Sequence, residues 1–189
     1  MNIKLILIIM FSILYGLFEL FMSLRQIENR KISESGDKGS IWILILSISM
    51  GYWLSFIMGA TTIGRLHHWN TFFLIGSVVA LSGLIIRVAA IIKLRQQFTY
   101  TVTKIENHEL IETGLFKIIR HPGYLGQLMI FMGISVCLSN WLSVLLMMVP
   151  VLSGYIYRIN VEERFMAEHL GQKYLDYRKR TKRLIPVIY

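Results

Sequence analysis

Residues 125–157 read LGQLMIFMGISVCLSNWLSVLLMMVPVLSGYIY. Two apolar runs, 125–138 and 141–157, meet at Ser139-Asn140, and neither carries an Asp, Glu, Lys or Arg. Each run is short for a complete span, and the joint is too tight for anything but an immediate reversal. The stretch therefore reads as an antiparallel helical hairpin inside a membrane. Pro150 is placed to kink its second arm.

Working outward, three more apolar spans precede the hairpin: 3–24, 41–63 and 71–92. The first is too long for a signal peptide, carries Glu19 and lacks a small-residue cleavage site, so it reads as a retained helix. The chain is 189 residues long and 54% hydrophobic, with a mean hydropathy of +0.56. No polar block is long enough to build a soluble second domain. The expected architecture is all-α: one polytopic membrane domain, 1–189, with about five transmembrane helices. Residues 1–92 supply three N-terminal spans. Residues 93–189 supply a polar connection, the hairpin and a charged C-terminal helix that runs on from residue 158 and ends near Gly171.

The formal charge is +9. In a membrane protein that excess marks cytoplasmic loops and contact with anionic membrane lipids rather than nucleic acid. Lys and Arg concentrate in 25–40, 93–122 and the C-terminal tail. The 64–70 turn holds only Arg65, and the Ser139-Asn140 joint holds none. Five spans with the N-terminus outside put all three basic regions in the cytoplasm, with Lys4 as a weak objection. The lone cysteine, Cys137, excludes an intrachain disulfide and a cysteine-rich zinc site. His67 and His68 are neighbours in a turn, and His108 and His121 are far apart without further donors at ligand spacing, so no metal site is expected. Soluble nucleotide-binding and nucleophile-elbow motifs are missing from the sequence.

The polar stretch before the hairpin, 108–124, is HELIETGLFKIIRHPGY. Pro122 disfavours helix at His121 and suits the first turn of the helix that follows. A loop ending at a helix start offers free N–H groups to a small ligand. Arg120 and His121 can donate to a carboxylate or ribose, and Tyr124 can pack on an adenine. The plain alternative is a basic, aromatic anchor at the membrane edge. Further on, Arg158 and Glu162 share a helix face at i, i+4, which by spacing alone is an ordinary ion pair worth ~0.3–0.5 kcal/mol. Functionally, Arg158 would hold an anionic acceptor and Glu162 would accept from a cationic or amino group. Glu19 and Arg87 sit near the cytoplasmic ends of their spans, where snorkelling is the plain account of Arg87; pairing with each other, or lining a headgroup-level cavity, is the alternative, which spacing does not support. The 174–189 tail is a basic cluster with an apolar end, suited to lipid headgroups.

Taken in order, the ordered set His108-Glu-Leu-Ile111, Gly114-Leu-Phe116, Arg120-His-Pro-Gly-Tyr124, the hairpin, Arg158-x-x-x-Glu162-Glu163, Gly171-x-x-Tyr174-x-x-Tyr177 and Arg183-Leu-Ile-Pro186 resembles the isoprenylcysteine carboxyl methyltransferase family of integral membrane enzymes. The membrane phospholipid methyltransferases are close relatives. The resemblance covers about 101–186; the first half matches only as apolar spans. It implies S-adenosyl-L-methionine bound on the cytoplasmic side of a cell membrane. By position, His108, Glu109, Leu110 and Ile111 would contact that cofactor. Phe116, His121, Pro122, Gly123 and Tyr124 would surround it, and Glu162 would hold one of its polar groups. Arg158 would face the substrate carboxylate, and His121 or Glu162 would serve as base if the acceptor needed one.

Two positions depart from the pattern: relatives commonly carry Gly-Pro-Tyr where this chain has Gly114-Leu115-Phe116, and some carry a larger polar residue at Thr101. The partner is a lipophilic small molecule or lipid. The acceptor group stays open between a carboxylate, a phenol and an amine. A non-catalytic scaffold or transporter subunit is the rival of another class, and there Glu19 and Arg87 would matter most.

Overall fold

The computed structural model describes residues 3–27, 32–35, 39–95, 103–105 and 110–185. Within them lie six α-helices: α1 (Ile3–Ile27), α2 (Ser40–Gly59), α3 (Trp69–Leu94), α4 (Pro122–Cys137), α5 (Trp141–Leu170) and α6 (Gln172–Arg180). Two short strands, β1 (Ile32–Ser35) and β2 (Thr103–Ile105), pair antiparallel and join the two polar connections. Apart from this short pairing the architecture is helical, that of an integral membrane protein.

All five expected apolar segments are helical. Four helices are long and apolar enough to cross a membrane, and α4, with 16 residues, is the shorter fifth. At about 1.5 Å per residue α4 reaches ~24 Å, short of a ~30 Å hydrocarbon core. It relies on its partner α5, which runs for 30 residues through Pro150 and out past the apolar stretch.

Lipid is as apolar as leucine, so hydrophobicity does not pull spanning helices together; close packing does. The closest approach is α3 on α4. Gly76 faces Gly133, and two turns on Gly83 faces Gly126. A Cβ at Gly76 would lie 2.5 Å from the Gly133 carbonyl oxygen, and one at Gly83 2.5 Å from that of Gly126. α2 lies along α5, and α4 returns against α5 as the predicted hairpin. α1 leans across α4, with Tyr15 edge-on to Phe131 at 6.4 Å; Tyr52 of α2 meets the same ring edge-on at 5.8 Å.

One end of the bundle is interlocked by turns. The second span was expected to reach residue 63, but α2 stops at Gly59. Residues 60–68 instead bind the hairpin joint: Leu66 N–H donates to the Ser139 carbonyl at 2.8 Å, and Trp141 N–H to Gly64 at 3.1 Å. Asn140 is fully buried at the centre. Its side-chain oxygen caps α5 through Leu142 and Ser143 N–H, while its amide nitrogen donates to the Met58 and Ile63 carbonyls at 3.1 and 2.7 Å. Asn140→Ala removes the cap and orphans two carbonyls, an expected loss of about 2–3 kcal/mol measurable by thermal unfolding in detergent. Lys4 belongs to this end too, donating to Asn70 and lying 5.2 Å from the Trp69 ring centre.

The snorkelling account of Arg87 is corrected. Its guanidinium turns inward, and Arg87 is 2% exposed. Nε and Nη2 both donate to Glu19 of α1, each at 2.9 Å. Two donors in a fork meet two carboxylate oxygens, so the charge of Arg87 is paired within the bundle instead of at the headgroups.

Candidate functional site

The opposite end of the bundle is where the polar connection, α4, α5 and the tail converge. α4 starts with Pro122 at its first position, which sets φ and needs no N–H partner there. The residues before it are held as an extended strip against the tail. Arg120 N–H donates to the Lys182 carbonyl at 2.8 Å, His121 N–H to Arg183 at 3.0 Å, and Lys182 N–H back to Ile118 at 3.1 Å.

Gly171, at φ 55°, ends α5 and turns the chain into α6, as expected from the sequence. The i, i+3 pair Tyr174 and Tyr177 forms the buried face of α6, and the Tyr177 hydroxyl donates to the Phe116 carbonyl at 2.7 Å. Burial pushes both phenols above their ordinary pKa, with the Glu163 and Glu162 carboxylates adding to the shift at Tyr174. Both are therefore neutral hydroxyls at physiological pH.

Glu163, 3% exposed, is the node. One oxygen accepts from Arg120 Nε at 2.7 Å and lies 3.4 Å from His121 Nε2; the other accepts from Arg183 Nε at 3.0 Å. Arg120 continues to the Arg178 carbonyl at 3.2 Å and to the Thr181 carbonyl. One carboxylate thus ties the extended strip, α5 and the tail together.

Glu162 points elsewhere. It accepts from the Tyr124 hydroxyl at 2.7 Å and lies 4.0 Å from His121 Nδ1. The His121 and Tyr124 rings stack, 5.4 Å apart and 9° from parallel, and Tyr124 rests on Tyr155 at 5.2 Å. Arg158, 2% exposed, donates to the Ser40 hydroxyl at the start of α2 and lies against the Tyr124 phenol.

The structure thus brings Arg158, His121, Pro122, Gly123, Tyr124 and Glu162 to one place, with Phe116 buried behind α6. Leu110 and Ile111 begin the described part of the connection. Ile111 lines an open cleft with Thr113, Lys93 and Arg95, and Glu112 ties this segment to Arg180 at 2.9 Å. His108, Glu109, Thr101 and Pro186 lie outside the described residues. Among the described residues no group of three or more His, Cys, Asp or Glu side chains could hold a metal ion.

Sequence reasoning offered Arg120 as a donor to a ligand, whereas the structure spends it on Glu163; it gave no role to Glu163, Arg183 or Ser40. The doubled acid at 162–163 was the visible signal: on a helix, neighbours point about 100° apart, so they serve two different partners.

The sequence profile of phospholipid methyltransferases matches residues 71–173, more than half of the chain. The chain belongs to the phospholipid methyltransferase family. This phospholipid methyltransferase-family chain is 32% identical over 124 residues to protein-S-isoprenylcysteine O-methyltransferase B of Arabidopsis thaliana, covering 65% of the chain and 62% of the relative. It is 31% identical over 108 residues to the Schizosaccharomyces pombe enzyme of the same kind, covering 56% and 46%. The solved structure of a eukaryotic intramembrane Ras methyltransferase, isoprenylcysteine carboxyl methyltransferase, superimposes with a TM-score of 0.60 at 25% identity, covering 76% of this chain and 52% of that one. The chain spans about half to three-fifths of the length of these relatives. The expected kinship with isoprenylcysteine carboxyl methyltransferases and membrane phospholipid methyltransferases is met.

Proposed function

We propose that this is an integral membrane methyltransferase that uses S-adenosyl-L-methionine to methylate the carboxylate of a lipophilic acceptor; the names of its relatives describe O-methylation of isoprenylcysteine and carboxyl methylation. One observation carries the reading: the stacked His121–Tyr124 rings and the Glu162 carboxylate, all backed by the Glu163 node, in a chain similar to isoprenylcysteine O-methyltransferases.

The donor set fits the cofactor. Flat rings suit an adenine, a carboxylate suits an ammonium or ribose hydroxyl, and no basic side chain is needed at a sulfonium. Bound there, S-adenosyl-L-methionine supplies a methyl group already activated for transfer. His121 to Tyr124 and Glu162 hold the cofactor, with Leu110, Ile111, His108 and Glu109 along the same connection. Arg158 receives the acceptor carboxylate. That carboxylate is ionised at neutral pH and needs no general base. The protein therefore contributes orientation and exclusion of water. Enclosure by the tail, pinned through Glu163, supplies the exclusion.

The basic ends orient the molecule with this site facing the cytoplasm and the interlocked turns facing outward, in the cell membrane. The acceptor reaches Arg158 sideways from the bilayer. The transporter reading loses its main support, since Glu19 and Arg87 pair with each other instead of lining a path.

Purified protein given an isoprenylated cysteine, an isoprenoid acid, a phenolic lipid and a phosphatidylethanolamine in turn separates the acceptors. Base-labile methyl ester formation on a carboxylate is the expected result. Methyl transfer to the phospholipid amine alone would replace this reading, and Glu162 or His121 would then act as the base.

A further inference from the structure

Arg87 and Glu19 stand outside the cluster assigned to the reaction, yet Arg87 reaches its turn. Glu19 accepts the two bonds from Arg87 and a third from the Tyr15 hydroxyl, at 2.7 Å. A largely buried ion pair adds little stability over well-packed apolar residues. This one is aimed at a particular place. A Cβ on Gly123 would come within 3.0 Å of Arg87 Nη1, and within 3.7 Å of the Ala90 Cβ.

The end of an arginine ordinarily swings aside from such a contact at small cost. Here it cannot do so without giving up both bonds to Glu19. The clamp turns a soft contact into a fixed one. One turn further on, a Cβ on Gly126 would lie 2.7 Å from the Arg87 backbone nitrogen, so α3 backs the start of α4 along its length. Gly123 lies between His121 and Tyr124, and the His121 carbonyl accepts from the Tyr124 and Leu125 N–H groups at 3.1 Å each.

We infer that Arg87, clamped by Glu19 with Tyr15 behind it, is a positioning residue: it bears on Gly123 and sets the angle at which the first turn of α4 presents His121 and Tyr124. The inference rests on the cofactor reading of that turn. It makes α1, which lies outside the segment matched by the family profile, a working part of the site.

A pair that only anchored α1 would act on stability alone. The test therefore uses Glu19→Gln, which keeps shape but not charge, and the exchanged pair Glu19→Arg with Arg87→Glu. Three quantities are read in detergent: melting temperature, S-adenosyl-L-methionine affinity by calorimetry, and amide hydrogen exchange of the 119–125 peptide. Glu19→Gln is expected to weaken affinity by about tenfold or more and to speed exchange at Tyr124 and Leu125. The exchanged pair is expected to regain melting temperature lost by either single change but not affinity, because its guanidinium is rooted on α1 and no longer abuts Gly123. The inference is overturned if Glu19→Gln leaves both affinity and exchange at wild-type values, or if the exchanged pair restores affinity together with stability. Wild-type protein that binds no cofactor would sink the functional reading instead; the exchange comparison would still decide this inference, unchanged exchange in Glu19→Gln overturning it.

Discussion

Glu163→Ala is expected to lower stability by about 3 kcal/mol and to free the tail from the bundle. Removing one member of a buried charge cluster leaves its partners uncompensated, which costs roughly 3–5 kcal/mol. The lower end applies because Arg183 is 23% exposed and can turn to water. Arg120, at 7%, cannot. Its remaining bonds, to the Arg178 and Thr181 carbonyls, then carry an unpaired charge. The strip 118–121 and the segment 181–183 lose their common anchor, so His121 moves as well. Thermal unfolding measures the first effect, and limited proteolysis after Gly171 the second. Glu163→Gln separates shape from charge: it keeps an acceptor for Arg120 and loses the ion pair. It is expected to fall between wild type and alanine. A Glu163→Ala protein as stable and as protease-resistant as wild type would remove Glu163 from the centre of this account.

Arg158→Lys is the second large effect, on rate instead of stability. A guanidinium offers a carboxylate two parallel donors in a rigid fork; an ammonium offers a point charge. A hydrogen bond to a charged group is worth about 2–3 kcal/mol, so loss of the fork lowers kcat/KM for a carboxylate acceptor roughly thirty- to a hundredfold. Cofactor affinity should stay within about threefold, since the His121–Tyr124 stack and the Tyr124–Glu162 bond do not depend on the fork of Arg158. The pattern of the loss identifies the acceptor. For a carboxylate, the change falls on acceptor kinetics alone. For an amine, a positive charge at 158 brings no attraction, and Arg158→Lys would leave the rate unchanged.

Much of the fold was legible because the lipid solvent imposes it. Unbroken apolar runs of helical length have one outcome in a bilayer, since every backbone polar group must be satisfied within the segment. The hairpin, the extension of α5 past residue 158 and the break at Gly171 followed from the pattern alone. The end of α2 did not. Residues 60–63 give no clear stop signal, and the turn that replaces the helix is held by distant groups, among them the buried amide of Asn140, 77 residues away from Ile63. The β1–β2 pairing was equally hidden, since it joins two polar connections with no alternating pattern.

At the site, local spacing placed His121, Pro122 and Tyr124 correctly at the start of a helix, and the motif order tied them to Arg158 and Glu162. What spacing could not supply was any bond between distant segments. Glu19 and Arg87 lie 68 positions apart, and Arg120 and Glu163 lie 43 apart. Each residue alone has an ordinary explanation as a membrane-edge or surface charge. Burial removes that explanation, and burial is a property of the assembled bundle.

The claim on which the rest depends is that the His121–Tyr124 turn and Glu162 hold S-adenosyl-L-methionine. Calorimetric titration of the cofactor into detergent-solubilised wild-type protein, with His121→Ala beside it, tests this most directly. Saturable one-site binding by wild type, lost in a variant whose melting shows it still folded, is the predicted result. Folded wild-type protein that gives no saturable binding would contradict the account.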